Sequence, residues 1–357
     1  MVDVNYAMNG RQFLRQVLSH NKFRRQGFLT GAEPNGSYYV VVDPNRHSLA
    51  VWGQRFLISR KRPYEDSAKA LGAVVFSNGP QMELPTFSAM LKSWVRKIGI
   101  WAAAGAVIGL SVGAILMAIS GGSALPIIIS VLSGGLSGAA GRALVEVLRG
   151  GVPYGVVRGS KHRIFERGMG YNGSLAHFGR SGAAFRTYDS ALGNAPRGMS
   201  EVMGGLIPLI IDFTLMSSTS GTPNFNEHFF KLSNHAGCVA WALVPLGVNN
   251  PPRSDLDPSQ LVTPVSDSDL SGVNLTMPGA SQPLDGLVVV VGKYALAFAV
   301  AAQTMLASIG ARDAVAMDGS DSVMLGSGTT LFPIYPGGNG SPALIKNWIQ
   351  KYGFYMG

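Results

Sequence analysis

The sequence predicts an α+β fold, a mixed sheet interrupted by a hydrophobic α-helical hairpin. Three observations predict it. Short β-rich runs such as SYYVVVD, CVAWALV and GLVVVVG recur, bounded by turn-forming residues. Residues 98–119 carry no charge. Residues 294–325 read as a helix, a buried strand and a sharp polar turn.

The chain has 357 residues, enough for one large core or two modest ones. Apolar residues make up 46% and charged residues only 14%, a low charge for a wholly soluble protein. Cys238 is the single cysteine, which excludes an intrachain disulfide and a cysteine-based metal cluster. The first residues lack a continuous apolar stretch, so no cleavable signal peptide is expected. Net charge is +9 and unevenly spread. Residues 1–200 hold 23 Lys/Arg against 9 Asp/Glu; residues 201–357 hold 6 against 11. A basic half of this kind suits an anionic partner: phospholipid headgroups, nucleic acid or a phosphate-bearing glycan.

Taken in order, residues 1–30 read as a basic amphipathic segment. Phe13, Leu14, Val17 and Leu18 stand against Arg11, Arg15, Lys22, Arg24 and Arg25. Such a helix packs on the protein or lies on an anionic membrane. Residues 31–92 hold strands, then helix, strand and the turn Asn78-Gly79-Pro80. Residues 93–149 contain two uncharged stretches, 98–119 and 124–141, broken at 120–123. As a helix the first is about 33 Å long, against a bilayer core of about 30 Å. Gly105, Gly109 and Gly113 recur on one helix face, where small residues let a partner helix approach. Basic residues flank both ends. The reading is a membrane-inserting hairpin; the alternative is a Gly-rich hairpin packed inside the protein or a homo-oligomer. Residues 150–357 return to short β-rich runs, with a long exposed loop expected over 243–285.

The segment 294–325 carries the clearest site signal. An Ala-rich helix stops at Gly310, a short apolar run follows, and then come Asp318, Gly319, Ser320, Asp321 and Ser322. This sets two carboxylates and two hydroxyls at a strand end, where ligand sites tend to form. An ordinary Asp-Gly hairpin turn is the competing reading.

Four segments resemble the phosphodiester glycosidase family, in that family's order. ALGAVVFSNGPQM resembles its strand ending in Asn-Gly-Gly, here Asn78-Gly79-Pro80. MSEVMGGLIPLIID resembles its paired-glycine segment, here Gly204, Gly205 and Asp212. GCVAWALV with GLVVVVG resembles its central strand pair. IGARDAVAMDGSDSVML resembles its Asp-Gly-Gly-Gly-Ser signature, with Asp318, Gly319 and Ser322 in place. The matches span roughly residues 38–335 apart from the hydrophobic hairpin. The chain departs from the pattern at Pro80, at an Arg-Thr pair that is either replaced by Asn234-His235 or absent, at Ala301 in place of a helical Glu, and at Ser320-Asp321 in place of two glycines.

The resemblance implies cleavage of a sugar-1-phosphodiester, which needs a proton donor for the leaving group and a carboxylate at the sugar carbon. Asp318 is the candidate carboxylate. Asp321 is its candidate partner, since adjacent carboxylates push their pKa values apart and divide acid and base roles. Alternatively Asp321 is structural, or Asp318 and Asp321 offer oxygen ligands to a divalent cation. Candidate substrate contacts are Asn78, Gly79, Gly204, Gly205, Ser320 and Ser322, with Arg186 and His235 for phosphate. No zinc site is expected, because His228 and His235 lack ligand spacing.

Two functions follow as expectations. One is a phosphodiester-glycosidase-like hydrolase of an anionic cell-envelope glycan or sugar-1-phosphodiester. The other is a catalytically degenerate structural or membrane-penetrating protein, such as a virion or injection-machine component, using the scaffold for glycan binding. Both place the protein at a membrane, envelope or virion. Nucleic acid is not the expected partner, because the basic residues are not interleaved with aromatics in a recognised module.

Overall fold

Runs of β-branched and aromatic residues dictate most of what forms. The computed structural model describes residues 2–53, 71–80, 82–83, 152–166, 174–182, 184–191, 197–216, 236–248, 255–319, 323–334 and 352–357. Among these, 44% are strand and 15% helix. The chain divides into two compact units. Met1–Gln54, Ile58–Met82 and Pro153–Gly357 form one, and Arg55–Leu57 with Glu83–Val152 form the other. Apart from β5 and β6, which fall on the division, the architecture below belongs to the first.

Helices α1 (Gly10–Ser19) and α2 (Asn21–Gln26) precede strands β1 (Phe28–Ala32), β2 (Tyr38–Val42), β3 (Leu49–Gly53), β4 (Val75–Ser77) and β5 (Met82–Glu83). After the second unit come β6 (Val152–Pro153), β7 (Val157–Gly159), β8 (Ile164–Glu166), β9 (Ser174–Ser181), β10 (Ala184–Ala191), β11 (Met199–Ile211) and β12 (Thr214–Leu215). The remainder holds β13 (Ala236–Pro245), β14 (Gly286–Leu296), α3 (Phe298–Ser308), β15 (Asp313–Ala316), β16 (Leu325–Ser327), β17 (Thr330–Leu331) and β18 (Tyr352–Met356).

An eleven-stranded sheet runs β1-β2-β14-β13-β15-β11-β7-β8, with β9 and β12 also on β11 and β10 on β9. A five-stranded sheet runs β17-β16-β4-β18-β3, and β5 pairs with β6 separately. On one face of the large sheet Val41, Val289, Val291, Ala240 and Ala242 pack with Phe13, Leu14, Val17 and Leu18 of α1 and with Phe298, Ala302 and Leu306 of α3. On the other face Trp241 of β13 meets Phe354 of β18, ring centroids 5.5 Å apart. The layers are therefore helix, large sheet, small sheet.

The expected mixed sheet and α+β class are corrected by this arrangement, which is mostly β. The ladders of both large sheets are antiparallel. Within the segment 294–325, read as a helix and then a buried strand, the structure has α3 over Phe298–Ser308 and β15 over Asp313–Ala316, with α3 linking β14 to β15. Yet β13 lies between those two strands and pairs with each in antiparallel register. Only three α-helices occur among the described residues, against a mixed sheet with helical crossovers. The expected hydrophobic hairpin, with its membrane contact through residues 98–141, lies outside the described residues. No described helix is long and apolar enough to cross a membrane.

Residues 1–30 form two helices and a strand rather than one helix. His20 breaks the first helix with extended backbone and caps the second, its Nδ1 accepting from the Lys22 N–H at 3.1 Å. The four apolar residues of α1 are at most 2% exposed. Burying them contributes on the order of 8 kcal/mol relative to an extended chain. That commits this face to the protein. Residues 255–285 are also less free than their composition implies. Val262, Val265, Leu270, Met277 and Leu284 are buried in the same core, and the Val248 N–H donates to the Val265 carbonyl at 2.8 Å.

One buried carboxylate ties the sheets together. Glu201 of β11 is 5% exposed. Its Oε2 accepts from the Val51 N–H of β3 and its Oε1 from the Lys161 N–H, both at 2.9 Å. Glu201→Ala strands two donors and is expected to cost about 3 kcal/mol by urea denaturation. A loss under about 1 kcal/mol would contradict this role.

Candidate functional site

The site begins where β15 ends. Ala314, Val315, Ala316 and Met317 are buried, the Met317 N–H donates to the Val239 carbonyl at 2.8 Å, and the chain emerges at the half-buried Asp318. There it meets the end of β4. The Asp318 N–H donates to the Gly79 carbonyl at 3.0 Å, and the Asn78 Nδ2 donates to the Asp318 carbonyl at 2.8 Å. Asn78 also holds the returning arm of the same turn. Its N–H donates to the Met324 carbonyl at 3.1 Å, and its Oδ1 accepts from the Met324 N–H at 3.2 Å. A single buried asparagine thus ties both Asp318 and Met324 to the end of β4.

Two indoles hold that asparagine in place. Trp241 Nε1 donates to Ser77 Oγ at 2.8 Å, and Trp52 Nε1 donates to the Ser77 carbonyl at 3.0 Å. Ser77 Oγ donates on to the Asn78 carbonyl at 2.9 Å. Trp241 belongs to the large sheet and Trp52 to the small one, so the carboxylate turn rests where the two sheets are pinned together. A Cβ on Gly79 would lie 2.2 Å from the Tyr352 carbonyl oxygen, so no side chain fits there.

The paired glycines lie at the same end of β15. Ile207 of β11 pairs with Ala316, which sets Gly205 and Gly204 toward the end from which Asp318 leaves. Gly205 has φ +73, and the β11–β9 register shifts between Met203 and Leu206. These features bend β11 between its two halves. The Gly204 N–H donates to the Val156 carbonyl at 2.7 Å. That amide therefore serves the sheet rather than a ligand.

His177 of β9 packs against this bend, since a Cβ on Gly204 would lie 2.5 Å from the imidazole Cδ2. Burial pushes the imidazole down to about 4, from an ordinary 6.5. The folded His177 stays neutral until about pH 4, whereas the unfolded one takes up a proton near 6.5. Stability is therefore lost as pH falls through that window, by up to about 3 kcal/mol. His177→Gln is expected to remove this slope in denaturation midpoints measured between pH 7 and 4; an unchanged slope would contradict it. Cys238, near the start of β13, is fully buried and its thiol is pushed up to about 12, which excludes it as a nucleophile.

The predicted residues thus fall into three groups. Asn78, Gly79 and Asp318 are hydrogen-bonded together, with Gly204 and Gly205 at the same sheet end. Arg186 is exposed on β10; the carbonyl of its neighbour Phe185 accepts from Arg312 Nη2 at 2.9 Å, at the opposite, entry end of β15. Asp212, at the far end of β11, likewise belongs to that end, its N–H donating to Asp313 Oδ1 at 3.0 Å. His235, Ser320, Asp321 and Ser322 lie outside the described residues; β13 starts one residue after His235. Among the described residues no three His, Cys, Asp or Glu side chains group to hold a metal ion.

Sequence reasoning missed Ser77, Trp52, Trp241 and His177. Trp52, Trp241 and His177 each had a signal, since an indole N–H or an imidazole inside an apolar run needs a buried place and usually a partner; Ser77 had none.

No family model matches the chain, and no curated protein matches it. Several solved structures are distantly similar, two of them as follows. One is the zebrafish N-acetylglucosamine-1-phosphodiester alpha-N-acetylglucosaminidase (NAGPA) catalytic domain auto-inhibited by its pro-peptide. It is 11% identical with a TM-score of 0.44, over 92% of this chain and 80% of that one. The other is a hypothetical protein from Synechocystis, 10% identical with a TM-score of 0.40, over 90% of this chain and 59% of that one.

Proposed function

We propose that this protein hydrolyses sugar-1-phosphodiester bonds in an anionic cell-envelope glycan, with Asp318 as the carboxylate at the sugar carbon. One observation carries the reading. Asp318 leaves a buried strand end, and its turn is fastened from both arms by Asn78. Fixed backbone under a half-exposed carboxylate is what a preorganised catalytic group requires. Asp321, three residues on in the sequence, is the proposed second acid-base group. The order of the segments along the chain, with its resemblance to the phosphodiester glycosidases, supplies the substrate class. The basic first half of the chain favours a polyanion.

Within this reading Asn78 and Gly204 act by positioning, because their polar groups are engaged with the chain itself. That same engagement, together with the exposed Ala301 on α3, supports a second reading: a scaffold that binds the glycan without cleaving it. Incubating the purified chain with a p-nitrophenyl or N-acetylglucosamine-1-phosphodiester separates the two. Turnover above the Asp318→Asn background supports hydrolysis. Saturable binding without turnover supports the scaffold.

A further inference from the structure

We infer that the hairpin of β7 and β8 is a subsite for the chain of a phosphate-bearing glycan, separate from the Asp318 turn. This rests on the reading of the protein as acting on such a glycan. Phe165 of β8 is 66% exposed, an unusual state for a large aromatic on a sheet edge. Arg158 of β7 is its cross-strand partner, so the two side chains share one face. Lys161, His162 and Arg163 follow on the turn, all exposed. Among the described residues no carboxylate forms an ion pair with Arg158, Lys161 or Arg163.

The hairpin is also held rigid. His162 Nε2 lies 2.6 Å from the Tyr355 hydroxyl, and Lys161 Nζ sits 5.3 Å from the centre of the Tyr355 ring. The Lys161 N–H is anchored on Glu201 and the Ser160 N–H on the Ser200 carbonyl. A preordered surface loses little freedom on binding. An exposed ring beside guanidinium groups matches a sugar face flanked by phosphates. Position supports an extended ligand. Val156, just before β7, accepts the Gly204 N–H, so β7 leads from the glycine bend to the basic turn at 160–163, and a ligand touching both runs along the strand. Nucleic-acid grooves stack successive bases on several aromatics, and among the described residues of this hairpin Phe165 is the one exposed phenyl ring.

The test uses the full chain with purified poly(glycerol phosphate) teichoic acid as the probe, dextran as the neutral control and oligothymidylate as the nucleic-acid arm. Binding is measured by calorimetry at two salt concentrations. The wild type is expected to bind the teichoic acid and not dextran. Phe165→Ser and the triple Arg158→Gln/Lys161→Gln/Arg163→Gln variant are each expected to weaken binding at least about tenfold. The triple variant is also expected to lose most of the salt dependence. Near-UV circular dichroism checks that both variants fold. Absent wild-type binding, or equal affinity in all three proteins, overturns the subsite. So does tighter binding of oligothymidylate with the same losses, which assigns the hairpin to nucleic acid. Variant-sensitive binding without any turnover removes the hydrolase reading and leaves the subsite standing. Turnover of a short substrate with variant-insensitive polymer binding does the reverse.

Discussion

Asp318→Asn is expected to lower turnover of a sugar-1-phosphodiester by at least about 10³-fold, the scale of a lost acid-base or carboxylate contribution. The fold should survive. The Asp318 N–H donates to the Gly79 carbonyl and its own carbonyl accepts from Asn78, and asparagine keeps both of these backbone bonds. The side chain is half-buried and changes neither volume nor shape. Paired kinetics and thermal unfolding measure this. Loss of turnover with an unchanged midpoint assigns Asp318 to chemistry. A parallel fall of both assigns it to structure, and equal turnover removes it from the mechanism.

Asn78→Ala is the second large effect, and it acts on stability first. The substitution leaves the Asp318 carbonyl and the Met324 N–H without their side-chain partner in a fully buried place. Each stranded group costs about 1–3 kcal/mol, so the variant is expected to lose about 4 kcal/mol by chemical denaturation. Asn78→Asp is the sharper control. A carboxylate still accepts from Met324 but cannot donate to Asp318, and it brings negative charge against a carbonyl oxygen. Both variants should lose activity as well, since the turn carrying the carboxylate loses its base. A fully active, fully stable Asn78→Ala would show that the clamp is incidental.

The legible parts of this protein are those whose signal is local. GLVVVVG and CVAWALV read as strands because each buries valines on both faces. The stop at Gly310 was readable because its φ of +83 suits glycine at a helix end. The Asp318 turn was readable because polar residues interrupt an apolar run. What failed was non-local. Nothing in residues 286–316 announces that β13, some fifty residues upstream, slots between β14 and β15 and makes the ladders antiparallel. The long segment 243–285 looked exposed because Pro, Asp and Ser outnumber its apolar residues, yet the few apolar ones anchor it. Asn78 was chosen as a sugar contact by analogy of motif, and the structure shows its carboxamide engaged with Asp318 and Met324 instead. The charge of Arg186 suggests a phosphate contact, and the carbonyl of its neighbour Phe185 accepts from Arg312 at the entry end of β15.

The most direct test of the central claim follows oxygen. Hydrolysis of an N-acetylglucosamine-1-phosphodiester in ¹⁸O-labelled water is analysed by mass spectrometry of both products. Attack at the sugar carbon, with Asp318 serving that centre, places the label on the anomeric hydroxyl and none on the phosphate. Label on the phosphate, or release no faster than from Asp318→Asn, would contradict the account.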